Sequence, residues 1–390
     1  MQRRALTPTC DEDVVDAIAD AMRDGDRLAI HGGGSKAHIG APTEARRLDM
    51  TRLAGVVDYD PAELVLTVRA GTRLAEVEAL VATRDQMLAF EPFDHGPLFG
   101  RPAGPATIGG VVAAGVAGSQ RLSAGAPRDH LLGFRAVSGR GEVFVAGAKV
   151  VKNVTGYDLP KLAAGCWGRM FALTELTLKV LPRPRVRATW IIDGLSPGQA
   201  VAAMALAMGS QAEVAAAAHV PAALGGALSR TALRIQGFAP SVSARGAMLA
   251  AGLAAFGAAR MLDADTGAAW WAEIATLGML PADRPLWRIN VPPSGGPAIA
   301  ALAEARGAAW LFDWAGGLVW VAGDIEPMTM RGAAQQAGGH ATLVRAPAAM
   351  RAAVPALHPL APGVAALETR IRRAFDPNGV FETGRFHDAD

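Results

Sequence analysis

The stretch GPATIGGVVAAGVAGSQRLSAGAPRDHLLG, residues 104–133, decides the fold. Glycines stand at 109, 110, 115, 118 and 125, and from Thr107 to Ser119 they are interleaved only with Ala, Val, Ile, Ser and Thr. The run carries too much glycine for a good helix and too few polar side chains for a solvated linker. Glycine removes the side chain that keeps a backbone at a distance, so the N–H groups of such a run can approach something closely. Amides aimed at one point make an anion site suited to a pyrophosphate. A tightly packed helix with small residues at its contacts accounts for the same run. Taken alone, the stretch does not separate the two readings.

Upstream lies IHGGGSKAHIG, residues 30–40, where a short strand from Arg27 to Ile30 runs straight into a glycine loop. A strand feeding a glycine loop is the geometry expected for cradling phosphate. The loop lacks the spacer and terminal Gly-Lys-Ser/Thr of a Walker A, and its glycines do not open a helix as the dinucleotide fingerprint requires. Downstream lies VVKNVTGYDLPKLAAGCWGRMFALTELTLKVLPRP, residues 150–184. In this order the three stretches resemble the flavin-binding domain of the vanillyl-alcohol-oxidase-type FAD oxidoreductases. Within that family, ATIGGVVAAG, RDHLLG, VVKNVTGYDL and TLKVLPRP look like the FAD-binding subunits of bacterial glycolate oxidases. The resemblance is strong up to Pro184 and weaker beyond it.

The resemblance implies an α+β chain with a two-lobed PCMH-type FAD-binding domain, followed by an α+β cap domain with an antiparallel sheet. Residues 1–184 would form the FAD-binding domain, with lobe one about 1–70 and lobe two about 71–184. Residues 185–362 would form the cap, and 363–390 a C-terminal segment returning to the FAD domain. The implied cofactor residues are His31, Gly32, Gly33, Gly34, Ser35, Lys36 and Gly40 in the first loop, and Thr107, Ile108, Gly109, Gly110, Ala114 and Gly118 in the second. Pro92, Asp129, Gly168 and Leu173 complete the set. Gly32–Lys36 and Thr107–Gly118 would hold the pyrophosphate, while Val151–Tyr157 and Gly168–Leu173 help enclose the nucleotide. Lys36 either adds charge there or is an exposed lysine that ends the loop. Relatives that attach flavin covalently carry a histidine where Ser35 stands, so FAD is expected to be non-covalent. Two departures from the family stand out. Gly165-Cys-Trp-Gly-Arg-Met-Phe171 replaces Gly-Ser-Glu-Gly-Thr-Leu-Gly, and Glu382-Thr-Gly384 replaces Asn-Pro-Gly near the C-terminus.

Composition narrows the classes. A chain of 390 residues, 51% hydrophobic and 19% charged, is long enough for two or three domains and is not disordered. Its net charge of +2, with no long basic run, argues against nucleic acid as the partner. No segment approaches the roughly 18 consecutive apolar residues of a membrane span, and the N-terminus lacks the apolar core of a signal peptide. The expected place is the cytoplasm, with any contact to the inner membrane peripheral and made through partners. Cys10 and Cys166 are the only cysteines, too few for an ordinary iron–sulfur cluster.

Local patterns place the remaining elements. Asp11–Arg23 reads as an amphipathic helix. Val56–Tyr59 and Leu64–Ala70 read as strands, Gly71–Val81 as a helix, and Phe134–Val137 with Val143–Val145 as a hairpin. Leu173–Leu181 alternates as a strand. Glu91–Pro97 is a loop that in the family reaches the flavin ring, and His95 within it reads as structural or solvated. Beyond Pro184 the strands are Arg187–Ile192, Ala215–Val220, Leu233–Phe238, Trp287–Val291, Trp310–Trp314, Leu318–Val321 and Thr342–Val344. Helices fall at Pro197–Met208, Val242–Phe256, Pro297–Arg306 and Met328–Ala337. Two such units in tandem predict an antiparallel sheet with helices on one face. Tryptophans 190, 287, 310, 314 and 320 read as packing, whereas Trp270-Trp271 beside a turn reads as a candidate protein interface.

The competing functions differ in what they demand. Gly194-Leu-Ser-Pro-Gly198 matches a hydrolase nucleophile elbow in form, but the residue after the serine must donate an N–H and Pro197 has none. Ser196 as an N-cap with proline at N1 explains the residues better. Oxidising a 2-hydroxy acid needs a base and a cationic or metal site for the carboxylate. The hydroxy-acid dehydrogenases of the superfamily use clustered cap histidines and a carboxylate to hold a metal. Here the cap region contributes His219 and His340 with no pair at ligand spacing. Arg288 is a conceivable carboxylate ligand, although a surface salt bridge suits it better. The favoured expectation is therefore an FAD-binding subunit, with a larger flavoprotein partner carrying the dehydrogenase site for a small 2-hydroxy acid and an iron–sulfur partner taking the electrons. A stand-alone oxidoreductase and a scaffold with a degenerate FAD site are the alternatives. No catalytic residue and no metal ligand is assigned.

Overall fold

The computed structural model describes residues 5–148 and 157–386. Of the Val151–Tyr157 segment expected to enclose a nucleotide, all but Tyr157 lies outside the described residues.

Helix Asp11–Asp24 buries Val14, Ala17, Ile18 and Ala21 and carries three acidic residues in its first turn, where the helix dipole favours them. It covers the parallel strands β1 (Leu28–His31) and β2 (Arg46–Asp49). Their core takes in Leu48, Met50 and Leu53 and, from the far end of the chain, Val380 and Phe381. The Asp376 carboxylate fixes that return by accepting from the Val380 and Phe381 amides, each at 2.8 Å.

An antiparallel five-stranded sheet follows. It is built from β3 (Val56–Asp60), β4 (Val65–Arg69), β6 (Leu131–Ser138), β7 (Val143–Gly147) and β8 (Phe171–Lys179), in the order β3-β4-β8-β6-β7. The short β5 (Gln86–Met87) pairs with β9 (Leu181–Pro182). Against this sheet packs helix Ile108–Ala114, within the run that looked too glycine-rich for a good helix. Tertiary contacts override propensity there. Thr107 caps the helix N-terminus, Gly115 ends it in a left-handed turn, and Ile108, Val111 and Val112 are fully buried. Gly109 belongs on the contact face, because a Cβ there would lie 2.7 Å from the Ala70 carbonyl oxygen.

The rest of the chain builds an eight-stranded antiparallel sheet from β10 (Val186–Asp193), β11 (Ala216–Val220), β12 (Arg230–Gly237), β13 (Arg260–Met261), β14 (Leu286–Asn290), β15 (Ala309–Asp313), β16 (Leu318–Ala322) and β17 (His340–Arg345). Its order, β13-β10-β12-β11-β15-β16-β14-β17, reads as one four-strand unit followed by the same unit reversed. The tandem units are thus related by a pseudo-twofold, and they meet where His219 of β11 pairs with Phe312 of β15. Helices Pro197–Met208, Ala239–Gly252, Gly296–Ala305 and Pro327–Gln336 cover one face.

The other face holds a correction. Trp270 and Trp271 lie in helix Ala264–Thr276, are only 8% and 7% exposed, and pack in the cluster between this face and the N-terminal half of the chain. They are not a free interface. Gly267 lets the helix close on β10, since a Cβ would sit 2.8 Å from Thr189 Oγ1, and the Trp271 indole donates to that same hydroxyl at 3.1 Å.

Candidate functional site

The end of β1, the start of helix Ile108–Ala114 and the turn before β8 converge on a cleft of about 780 Å³, part of it open to solvent. His31, Gly32, Gly33, Gly34, Ser35 and Lys36 line it from one side, and Thr107, Gly109, Gly110 and Ala114 from another. Gly168 and Leu173 also line it, together with Trp167 and Phe171 from the segment that departs from the family. The remaining predicted residues lie elsewhere. Gly40 abuts Arg385, Ile108 is fully buried beneath the helix, and the Asp129 carboxylate caps the Ala126 amide at 2.8 Å. Pro92 and Gly118 line a second cavity.

Sterics explain the first loop. A Cβ on Gly33 would fall 1.3 Å from the Pro105 carbonyl oxygen, and one on Gly32 would fall 2.1 Å from Thr107 Oγ1. The two glycine stretches therefore touch through backbone that admits no side chain. At Gly110 a Cβ would meet only Thr107 Oγ1, at 3.2 Å.

The charges in the cleft are mainly cations. Lys36 is 8% exposed, so it is not a solvated lysine ending the loop. Burial pushes its ammonium down to about 8, with Asp94 opposing and Arg385 adding to the shift. Asp94 is itself engaged by the Gly96, Gly104 and Ala106 amides. Arg385 lines the cleft as well, pushed down to about 10 by burial and by the like charge of Arg351. His31 is held neutral near pH 7, its value pushed down to about 4 by burial and by Arg47 and Arg385. Lys36 is buried and Arg385 partly so, neither forms an ion pair with a carboxylate among the described residues, and Asp94 is the one acidic group acting on Lys36, so the pair of charges is costly unless an anion joins it. A diphosphate fits that requirement. Arg385 was not picked out in the sequence, where only its place in a segment expected to return to the FAD domain hinted at it.

The second cavity, about 1380 Å³ and partly open to solvent, runs between β10, β12, helix Ala264–Thr276 and the Met87–Phe93 segment. Arg234 is buried there and pairs with both Glu91 oxygens at 2.7 and 2.8 Å. Arg183 and Arg187 also line it. Nearby, the Ser119 hydroxyl donates to Asp313 at 2.9 Å and the Trp314 indole donates to the Gly118 carbonyl at 3.0 Å, tying the large sheet to the second glycine stretch. Burial pushes Asp313 up to about 7. Arg288 departs from the expected surface salt bridge. Its guanidinium lies over Trp314 and Trp320, at 5.0 and 5.9 Å, and donates to Asn290 at 2.7 Å.

His95 is buried and stacked on Phe93 at 4.6 Å, in keeping with its structural reading. His219 is buried and hydrogen-bonded to Thr231 at 2.8 Å. The fold brings His340 within 6.5 Å of His358, ring centre to ring centre, a neighbour that sequence spacing did not reveal. Among the described residues no three His, Cys, Asp or Glu side chains gather as a metal site. Ser196 caps helix Pro197–Met208 in a reciprocal box with Gln199, as expected in place of a hydrolase role.

An FAD binding domain family model matches residues 3–147. The chain is 32% identical over 376 residues to the glycolate oxidase subunit GlcE of Escherichia coli (strain K12), covering 96% of each protein. It is 31% identical over 145 residues to a D-lactate dehydrogenase of Anaerostipes hadrus, covering 37% of this chain and 29% of that protein. Among solved structures, p-cresol methylhydroxylase with substrate bound superposes with a TM-score of 0.67 at 14% identity, covering 98% of this chain and 88% of that one. An alkyldihydroxyacetonephosphate synthase matches with the same TM-score of 0.67, covering 97% and 76%. At such identities these two show the fold alone.

Proposed function

The chain belongs to the FAD-binding oxidoreductase family of the glycolate oxidase subunit GlcE, and from that membership we propose that it is the FAD-bearing subunit of a multi-subunit dehydrogenase of small 2-hydroxy acids, glycolate among them. It is an FAD-dependent oxidoreductase, and FAD is its cofactor. The observation that carries the reading is the match to a named glycolate oxidase subunit over 96% of both proteins. The same reading takes residues 1–184 as the FAD-binding domain, 185–362 as the cap, and 363–390 as the returning segment. No helix among the described residues is long and apolar enough to cross a membrane.

When bound, FAD supplies the two-electron acceptor for oxidising an alcohol carbon. The chain's own residues bind and orient it. Gly32–Lys36 and Thr107–Gly110 offer backbone that can close on a diphosphate, and Lys36 and Arg385 neutralise it in a site where charge interactions are strong. Ser35 stands where an attached flavin would need a histidine, so the cofactor is held without a covalent bond. A larger flavoprotein partner would hold the acid. The onward electrons would go to an iron–sulfur partner, because the two cysteines here cannot build an ordinary cluster. A second reading, in which this chain oxidises the acid itself, is favoured by one observation. Pro92 and Gly118 share the second cavity with Arg183 and Arg187, cations that a carboxylate substrate could meet.

The test uses the chain purified alone: its visible spectrum, then the same sample after anaerobic addition of glycolate or D-lactate. A flavin spectrum that persists supports the subunit reading. Bleaching by either acid overturns it in favour of the second. A protein without flavin, and unable to take FAD up, overturns both.

A further inference from the structure

We infer that Arg385 is a diphosphate-binding residue of the FAD cleft, and that the Thr383–Phe386 segment is a strap that holds it there. The inference rests on the assignment of FAD to this cleft and adds to it a residue 349 positions away from Lys36.

The strap is fastened at several points. The Arg385 carbonyl accepts from the Ala41 amide at 2.8 Å, and the Thr383 carbonyl accepts from the Thr43 hydroxyl at 2.8 Å. Arg385 Nε donates to the Ile39 carbonyl at 2.7 Å, and its Nη2 donates to the Lys36 carbonyl. The guanidinium lies over Phe386 and Trp167, at 5.0 and 5.9 Å. Gly40, at φ 87°, makes the close approach possible, because a Cβ would stand 2.5 Å from the Arg385 carbonyl oxygen.

The charge is what points to a ligand. A guanidinium has about five N–H donors, and the two tethers to Ile39 and Lys36 leave the others free to face the cleft that Arg385 lines. Arg385 makes no ion pair with a carboxylate among the described residues, and the charge acting on it is that of Arg351, of the same sign. Lys36, the buried cation of the cleft, lies close by. Guanidinium geometry suits the paired oxygens of a phosphate, and such charge-assisted bonds are the strong ones. The carbonyl tethers fix the side chain before the ligand arrives, which lowers the entropy cost of using it.

The test compares the full chain with Arg385→Gln and Arg385→Lys, each stripped of flavin. FAD, ADP and adenosine are titrated, and circular dichroism checks the fold. For Arg385→Gln we expect FAD and ADP to bind at least about tenfold more weakly, the scale of one lost charged hydrogen bond, with adenosine unchanged and Arg385→Lys recovering only part of the loss, because an ammonium cannot keep the tethers and the paired-oxygen geometry. Wild-type FAD affinity in Arg385→Gln, or an equal loss for ADP and adenosine, overturns the inference and leaves the strap a purely structural tie. Should Arg385→Gln fail to fold, Arg385→Lys decides: folded protein that binds ADP more weakly while binding adenosine as wild type does supports the contact, and folded protein with unchanged ADP affinity, or with an equal loss for adenosine, overturns it. Wild-type protein that takes up no FAD would instead overturn the cofactor assignment on which the inference stands.

Discussion

Gly110 is the glycine at which the cofactor assignment is most cleanly tested. At Gly33 any side chain collides with the Pro105 carbonyl, so Gly33→Ala would separate the two glycine stretches and destabilise the chain whatever it binds. At Gly110 an added side chain meets only a hydroxyl at 3.2 Å and extends into the cleft. Replacing a helical glycine also gains about 1 kcal/mol of helix propensity. Flavin-free Gly110→Leu should therefore melt close to flavin-stripped wild type, while the variant as purified loses its flavin absorbance, and full FAD occupancy in that variant would remove this helix from the site. Much at this scale was legible in the sequence, because the clustered glycines of residues 32–34 and 109–110 are local signals of close backbone approach. The cations of the cleft were less so. Lys36 is fixed by its loop but buried by Arg385 and its surroundings, and nothing local marks Arg385 as its neighbour. Arg288 likewise looked like a surface residue, because the tryptophans that stack on it come from other elements, Trp314 after β15 and Trp320 in β16.

Elements were recovered where one face is apolar and the period is plain. Strand β8 alternates leucine with threonine, β11 and β16 are buried at every position because the large sheet is covered on both faces, and helix Pro197–Met208 starts at the serine and proline that predict its start. Two helices show where the signal fails. Ile108–Ala114 has two glycines in its first turn and forms because Thr107 caps it and Val111 and Val112 are buried. Ala264–Thr276 was missed because adjacent tryptophans point about 100° apart on a helix, so the pair does not look amphipathic, yet the cluster around them buries both. The two caps separate stability from binding. Ser196→Ala removes a reciprocal capping box far from the cleft and should cost about 1 kcal/mol of unfolding free energy in urea, with FAD affinity unchanged. Thr107→Ala should cost a similar amount and also weaken FAD binding, because Thr107 spaces Gly32 from the helix at the cleft wall. Equal FAD affinities in the two variants would count against Thr107 as part of the site.

For the whole molecule, the question is what joins the eight-stranded sheet to the cofactor half, since the two halves meet through an apolar cluster crossed by a few buried polar ties. The most consequential tie is Glu91. Held at φ 48°, a conformation unusual outside glycine, it accepts from Arg234 of β12 and from both the backbone and the side-chain amide of Gln120. The partners' side chains are 6% and 24% exposed, so the pair is largely removed from solvent. Removing one member of such a pair strands the other charge, whereas replacing both removes the penalty along with the attraction. Glu91→Ala should therefore lower stability by about 3 kcal/mol, measured by guanidinium unfolding of the full chain. Arg234→Met added to that variant should recover most of the loss. The cycle tells the two roles apart. If Glu91→Ala costs less than about 1 kcal/mol, as an exposed pair would, the apolar cluster holds the halves together unaided. If the double variant is no better than the single, Glu91 acts through the Gln120 amides, and its task is to shape the second glycine stretch rather than to neutralise Arg234.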